Sequence, residues 1–150
     1  MMDNVGNRLL TLKVKDVMTR QVICVSEDQT LSEAACLFVS QGISGAPVVD
    51  ADGQCVGVLS AIDYVGREDV LRGLWPVGEP GDQVYQQMST KLRYVQPEQS
   101  LLRAARLMSA EHVHRLPVLD AEHRPVGLIT SMDIVAALVN VIDEQETRSM

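Results

Sequence analysis

Two hydroxyl–carboxylate pairs, Ser60 with Asp63 and Thr130 with Asp133, stand 70 positions apart in the chain. A carboxylate is well suited to accept hydrogen bonds from the two ribose hydroxyls of a nucleoside. A Ser or Thr at a helix N-terminus lies beside free backbone amides and the positive end of the helix dipole, which together favour a phosphate. The same spacing is also typical of a capping box, which only satisfies the helix's own amides. The residues by themselves leave both interpretations open.

The two pairs belong to an internal duplication that needs no gap. The stretch APVVDADGQCVGVLSAID, Ala46–Asp63, recurs as LPVLDAEHRPVGLITSMD, Leu116–Asp133, with its proline, aspartate and glycine positions aligned. Each stretch predicts two short strands joined by a tight turn and followed by a capped helix. Self-similarity at a fixed period indicates a repeat architecture.

The residues before each duplicated stretch predict one more strand and one more helix. In the first copy QVICV, Gln21–Val25, favours a strand, Thr30 opens a capping box and Gly42 is typical of a helix end. The second copy repeats this order, with a strand at Leu92–Val95 and a helix capped by Ser100. Each unit is therefore predicted as β-α-β-β-α, and the fold class as α+β (α/β-like).

The same patterns divide the chain along its length. We predict a leading segment at 1–13 with a short helix, a first unit at 14–66, a connector at 67–85, a second unit at 86–140 and a polar tail at 141–150. The last helix is expected to run from Ser131 to about Asp143. The connector carries the single tryptophan, Trp75, which we predict to be a packing anchor.

The composition limits the classes of partner and compartment. A net charge of −7 and a pI near 4.8 argue against nucleic acid and anionic membranes, which need clustered Lys and Arg. No apolar run approaches the ~20 residues that span a bilayer, and residues 1–12 lack the apolar core of a secretory signal. The cysteines Cys24, Cys36 and Cys55 are odd in number and widely spaced, so we expect free thiols in a reducing cytoplasm.

The two units resemble a pair of cystathionine β-synthase (CBS) domains, called a Bateman module, over about residues 14–140. The resemblance implies that the units pair about a pseudo-twofold axis and form two clefts that frequently hold AMP, ADP, ATP or S-adenosylmethionine. It also implies a regulator rather than a catalyst, often a homodimer, whose output here would pass to a separate protein. The residues that carry the resemblance are Val17-Met18-Thr19, Leu31 with Ala34-Ala35, Ala46 to Asp50 and Gly57 to Asp63, then Met88-Ser89, Leu101 with Ala104-Ala105, Leu116 to Asp120 and Gly127 to Asp133.

The resemblance favours ribose contact by Asp63 and Asp133, with capping as a simultaneous role. In this family a basic residue just before the apolar-Pro-Val strand commonly faces the ligand's phosphate, and His112, His114 and Arg115 match that position. If this segment is extended, the two histidines share one face and the arginine takes the other, so at most one face meets a given cleft. An exposed polar strand entry is the open alternative.

The first unit departs from this pattern, because its matching positions are Gly42, Ser44 and Gly45. Without a positive charge its cleft is expected to suit a polyphosphate less well, and the acidic net charge also disfavours a highly charged ligand such as ATP. Ile23 and Tyr94 are predicted to flank an adenine, with core packing as the alternative for Ile23. The other residues predicted to bind ligand are Ser60, Thr130, Gly45, Ala46, Pro47, Arg93, Leu116 and Pro117, with a solvated surface position as the alternative for Arg93.

Three classes of function compete for this sequence. A sensor would bind an adenosine-containing molecule, whereas an interaction module would dimerise or dock without any ligand. Apolar faces on the two unit-closing helices, at Ile62, Val65, Ile134 and Leu138, would favour a dimer. Catalysis is not expected, because we find no nucleophile–base pair, glycine-rich phosphate loop or paired catalytic carboxylates. A metal site is not expected, because His112 and His114 lack a third and fourth ligand.

Overall fold

The computed structural model describes the backbone of residues 4–61 and 83–149 and the side chains of residues 6–61 and 83–147. The expectations for Ile62, Asp63, Val65, Trp75 and most of the connector lie outside these residues. The helices are α1 (Asn4–Thr11), α2 (Val14–Val17), α3 (Leu31–Gln41), α4 (Val84–Gln87), α5 (Leu101–Glu111) and α6 (Ser131–Ser149). The strands are β1 (Val25–Ser26), β2 (Gly45–Val49), β3 (Cys55–Ser60), β4 (Arg115–Leu119) and β5 (Pro125–Thr130). The predicted α+β class is confirmed.

The chain forms two compact units that do not follow the sequence repeats in full. The first-repeat unit holds residues 23–92 and 123–125, and the second-repeat unit holds residues 1–22, 93–122 and 126–150. Residues 1–22, which precede β1, therefore pack in the second-repeat unit, and residues 83–92 pack in the first-repeat unit. We call these two stretches the leading segments of the repeats. The boundaries at 14–66 and 86–140 describe the repeats in the sequence and remain a prediction.

The first-repeat unit is built on a three-stranded sheet of order β1-β2-β3. Strand β1 pairs with β2 in parallel through Val25 and Val48, and β2 pairs with β3 antiparallel. Strand β1 is shorter than the predicted Gln21–Val25, because only Val25 and Ser26 lie opposite residues of β2. The core of this unit consists of Val25, Leu31, Ala34, Phe38, Ala46, Val48, Leu59 and Val84.

Helix α3 begins after Thr30 and ends at Gly42 as its sequence predicts, but among the described residues only the Thr30 half of the capping box forms. The Thr30 hydroxyl accepts a hydrogen bond from the Glu33 amide at 3.1 Å, which satisfies one free amide of the first turn. Gly42 ends the helix in the left-handed conformation, with φ of +64°. Ser100 caps α5 in the same way, by accepting from the Arg103 amide at 3.1 Å.

The second-repeat unit places α1, α2, α5 and α6 around the strands β4 and β5. The predicted strand Leu92–Val95 is reduced to a single parallel bridge between Val95 and Val118. Helix α1 confirms the predicted leading helix, and α6 runs past Asp143 to Ser149, because no glycine or proline interrupts it. The core of this unit consists of Val14, Val95, Leu101, Ala104, Met108, Leu116, Val118, Ile129 and Ala137.

The repeats place different residue types at two left-handed positions. After the first helix of each repeat stand Gly42 with φ of +64° and His112 with φ of +55°, and in the hairpin turns stand Gly53 with φ of +81° and His123 with φ of +66°. A side chain in this conformation costs roughly 1–2 kcal/mol relative to glycine. The second repeat therefore carries histidine where glycine would be less strained.

Candidate functional site

Thr130 and Asp133 form a reciprocal capping box at the start of α6. The Thr130 amide donates to Asp133 Oδ2 at 2.9 Å, and the Asp133 amide donates to the Thr130 hydroxyl at 3.1 Å. Both residues are half-buried. The other carboxylate oxygen, Oδ1 of Asp133, has no hydrogen-bond partner within the part of the chain that the structure describes. Capping is therefore present, and it leaves one acceptor oxygen for a ligand.

The basic segment meets this helix start through its backbone. The Ser131 amide donates to the His114 carbonyl at 2.9 Å, so residue 114 adjoins the first turn of α6. His114 and Arg115 are exposed. The following Leu116 is 1% exposed and Pro117 is buried, so their side chains belong to the core rather than to an open surface.

His112 does not continue the strand. It ends α5 as a left-handed C-cap, with its amide donating to the Met108 carbonyl, and its side chain is exposed. The segment 112–115 is therefore not extended throughout, and the condition under which His112 and His114 would share a face is not met. The reason is that residue 112 takes the helix-ending role that Gly42 has in the first repeat.

The first repeat has the same backbone arrangement with smaller side chains. The Ala61 amide donates to the Ser44 carbonyl at 2.8 Å, and Gly45 lies opposite Ser60 across β2 and β3. Ala46 and Pro47 are buried and Ile23 is half-buried. Asp63, the partner of Ser60 in the predicted pair, lies outside the described residues.

Gly45 shows where the side chain of Arg115 begins. A Cβ placed on Gly45 would lie 3.5 Å from the Cβ of Ser60. Arg115 and Thr130 are the counterparts of these two residues, 70 positions later. By this equivalence the Cβ of Arg115 is expected beside the Cβ of Thr130, at the end of the unit where the capping box lies.

Arg93 is engaged by a residue that the sequence reasoning missed. Its Nε lies 2.9 Å from Oε2 of Glu111, the last residue of α5. The neighbouring Tyr94 is half-buried. The opposite charges of Arg93 and Glu111 are visible in the sequence, but nothing there shows that these residues, 18 positions apart, form an ion pair.

The comparison with known families decides the identity. The model of the CBS domain matches residues 14–74 and 82–140. This chain belongs to the CBS domain family. The expected tandem CBS pair is thereby confirmed.

Relatives of this CBS pair differ in length, and two of the solved ones contain different bound ligands. The CBS domain-containing protein YhcV of Bacillus subtilis is 36% identical over 123 residues, with 81% of each chain covered. CBSX2 of Arabidopsis thaliana, solved in complex with AMP, is 26% identical with a TM-score of 0.71, covering 87% of this chain and 98% of that one. The CBS domain pair of the protein MJ0100, solved with 5′-methylthioadenosine and S-adenosyl-L-methionine, shares the fold at 23% identity with a TM-score of 0.69, covering 85% and 96%. Other curated relatives are longer, and the chain spans 21% to 45% of their length.

The CBS pair carries three free thiols, at Cys24, Cys36 and Cys55. Burial raises the pKa of the Cys24 and Cys55 thiols, and the neighbouring Cys55 raises that of Cys24 further. Cys36 is exposed on α3. Across residues 4–61 and 83–149 no group of His, Cys, Asp and Glu is arranged to hold a metal ion, and no helix there is both long and apolar enough to cross a bilayer.

Helix α6 of the CBS pair presents an apolar stripe to its surroundings. Leu138, which the sequence placed on a dimer-forming face, is exposed, whereas Ile134 packs against the core. The predicted partners on the first unit-closing helix, Ile62 and Val65, lie outside the described residues. The exposed members of the stripe are Met132, Val135, Leu138, Val139 and Ile142.

Proposed function

We propose that this CBS pair is a regulatory module that binds an adenosine-containing molecule and passes its presence to a separate protein. The observation that carries the proposal is the Thr130–Asp133 capping box, which leaves Oδ1 of Asp133 without a partner among the described residues, in a helix whose Ser131 amide bonds the carbonyl of the exposed His114. The AMP complex of CBSX2, a relative at 26% identity, supports the choice of ligand class. AMP, ADP, ATP and S-adenosylmethionine are the candidates.

Each residue of the second repeat would have a distinct role. Asp133 Oδ1 accepts the ribose hydroxyls, since a carboxylate can bond two adjacent donors. The hydroxyl of Thr130, with Arg115 and His114 beside it, faces the 5′ substituent. Tyr94 flanks the base.

The first repeat would form a second, less charged site. Ser60 and Asp63 take the places of Thr130 and Asp133, and Ile23 lies where the second repeat has Arg93. Gly45 has no side chain at the position where the second repeat has Arg115, so the space beside Ser60 is not filled. A ligand without several negative charges suits this site best.

Regulation requires that the ligand bind one conformation of the module better than another. A ligand with equal affinity for both conformations would change nothing, however tightly it bound. The output would pass to a separate protein. We place the module in the cytoplasm, since its thiols at Cys24, Cys36 and Cys55 are free.

A second candidate function is a dimerisation module that needs no ligand. The observation that favours it is the exposed stripe of α6, from Met132 to Ile142, because contiguous exposed apolar surface marks interaction sites. A homodimer through this stripe is also part of the first proposal. The two functions therefore differ in ligand binding and not in assembly.

Thermal unfolding of ligand-stripped protein separates the two functions. The test panel is AMP, ADP, ATP and S-adenosylmethionine, with GMP as the control for base recognition. A ligand at a hundred times its dissociation constant adds about 2.7 kcal/mol, which raises Tm by roughly 5–10 °C in a chain of this size. A rise with an adenosine ligand and not with GMP is expected, and no rise with any adenosine ligand would favour the ligand-free module.

A further inference from the structure

The ion pair between Arg93 and Glu111 has no counterpart in the first repeat, where Ile23 and Gln41 occupy the equivalent positions. The side chains of Arg93 and Glu111 are 30% and 37% exposed. Although Nε lies 2.9 Å from the carboxylate, its N–H is not aimed at an acceptor, and the buried Nε has no hydrogen-bond partner among the described residues. A buried donor without an acceptor is rare enough in folded proteins to require an explanation.

The pair lies at the end of the unit that carries the candidate site. The Val95 amide donates to the Pro117 carbonyl at 3.1 Å, and the Leu119 amide donates to the Val95 carbonyl at 2.9 Å, so this segment runs parallel to β4. With Val95 opposite Val118, the same parallel register carried back two residues would place Arg93 level with Leu116, the second residue of β4. Glu111 directly precedes the exposed His112.

We propose that Arg93 binds the 5′-phosphate of the adenosine ligand and that Glu111 holds the arginine when no phosphate is present. The inference rests on the function proposed above and adds that the ligand of this site carries a phosphate. A guanidinium can form two parallel hydrogen bonds with a phosphate, so a phosphate can replace the Glu111 carboxylate once the arginine side chain turns away from it. Partly exposed ion pairs are worth little in stability, so the exchange of Glu111 for a phosphate costs little.

The exchange of Glu111 for a phosphate makes the site of the second repeat selective for an adenosine ligand that carries a phosphate. Uncharged adenosine has no group to replace the Glu111 carboxylate, and the sulfonium of S-adenosylmethionine would be repelled by Arg93 and Arg115. Glu111 in turn competes with the phosphate for the same guanidinium. The first repeat has neither the arginine nor the competitor, so its site would not discriminate in this way.

The test compares AMP with adenosine, which differ only in the phosphate, by isothermal titration calorimetry. The variants are Arg93→Gln and Glu111→Gln, and the matched charge controls are Arg106→Gln and Glu146→Gln, both at exposed helix positions. Arg93→Gln is expected to weaken AMP binding about tenfold, as for the loss of a hydrogen bond to a charged group. Glu111→Gln is expected to tighten AMP binding about threefold, because the competitor loses its charge. Adenosine affinity should stay within about twofold in every variant.

The outcomes distinguish this inference from the proposed function. Opposite shifts for AMP in the two variants, with adenosine and both controls unchanged, support the inference. If AMP binds the wild type but neither variant alters its affinity, or if adenosine weakens as much as AMP, the inference is wrong and the proposed function stands. If the wild type binds neither AMP nor adenosine, the inference is wrong, and the proposed function fails as well only if ADP, ATP and S-adenosylmethionine also leave Tm unchanged.

Discussion

The carbonyl oxygen of Ser89 lies so close to Gly57 that a Cβ on the glycine would be 2.7 Å from it. Two backbone hydrogen bonds hold this approach, from the Val58 amide to the Ser89 carbonyl at 3.0 Å and back at 2.9 Å. In the second-repeat unit a Cβ on Gly127 would meet Met18 Sδ at 2.7 Å and the Thr19 carbonyl at 3.0 Å. Each glycine thus lets the leading segment before one repeat pack on the strand of the other.

The first prediction concerns these two glycines. Gly57→Ala is expected to destabilise the protein by about 1–3 kcal/mol, as overpacking usually does, because the obstructing atom belongs to a hydrogen-bonded backbone. Gly127→Ala should cost less, since the Met18 thioether can rotate away and the Thr19 carbonyl, at 3.0 Å, is farther from the added Cβ than the Ser89 carbonyl is from that on Gly57. Urea unfolding measures both free energies. A Gly57→Ala protein as stable as the wild type would contradict the close packing described here.

Local sequence rules predicted the elements that depend on neighbouring residues. Thr30 and Ser100 cap their helices and Gly42 ends one, since side-chain acceptors and glycine act within a few positions. The Thr130–Asp133 capping box formed for the same reason. Its ligand role stays a prediction, because a capping box satisfies the helix's own amides and needs no ligand to form.

Features that depend on distant contacts were not predictable from the sequence. The exchange of the leading segments, seen in the Val14 amide donating to the Gln99 carbonyl at 2.9 Å, joins residues far apart in the chain. Strand β1 is short because only Val25 and Ser26 pair with β2. The Arg93–Glu111 ion pair depends on how the end of α5 lies against the segment that precedes Val95. An extended segment from His112 to Arg115 was one possibility, but His112 ends α5 in the left-handed conformation.

The second prediction concerns the buried thiols. Since burial raises the pKa of Cys55 in the folded protein, the folded state retains its proton when the unfolded state begins to lose it. Stability is therefore expected to fall as pH rises above about 8.5, the ordinary thiol value. Urea unfolding at about pH 7.5 and about pH 9.5 measures this fall, which Cys55→Ala should reduce. The exposed Cys36 provides the control: a fall reduced by Cys36→Ala instead would contradict the assignment.

The third prediction concerns assembly through α6. Val139, which is 49% exposed within the apolar stripe, is changed to Glu, and the expected result is a shift from dimer to monomer, since a charge in an apolar interface is costly to bury. Sedimentation equilibrium measures the mass. The control is Val39→Glu, at a position that is 84% exposed on α3, and it should leave the dimer intact. A monomeric wild type, or equal effects of the two variants, would contradict the proposed interface.

The last prediction tests the central claim, that the Thr130–Asp133 pair binds the ribose of an adenosine ligand. Asp133→Asn keeps a side-chain oxygen for the Thr130 amide but loses the charge that makes the carboxylate a strong acceptor of ribose hydroxyls. The control is Asp143→Asn, which makes the same charge change at an exposed position of α6.

The measurement is calorimetric titration of AMP and of S-adenosylmethionine into the wild type and both variants. At least one of the two ligands is expected to bind the wild type and the Asp143→Asn control alike, and to bind Asp133→Asn about tenfold or more weakly. Binding that survives Asp133→Asn unchanged, or a wild type that binds neither ligand, would contradict the account.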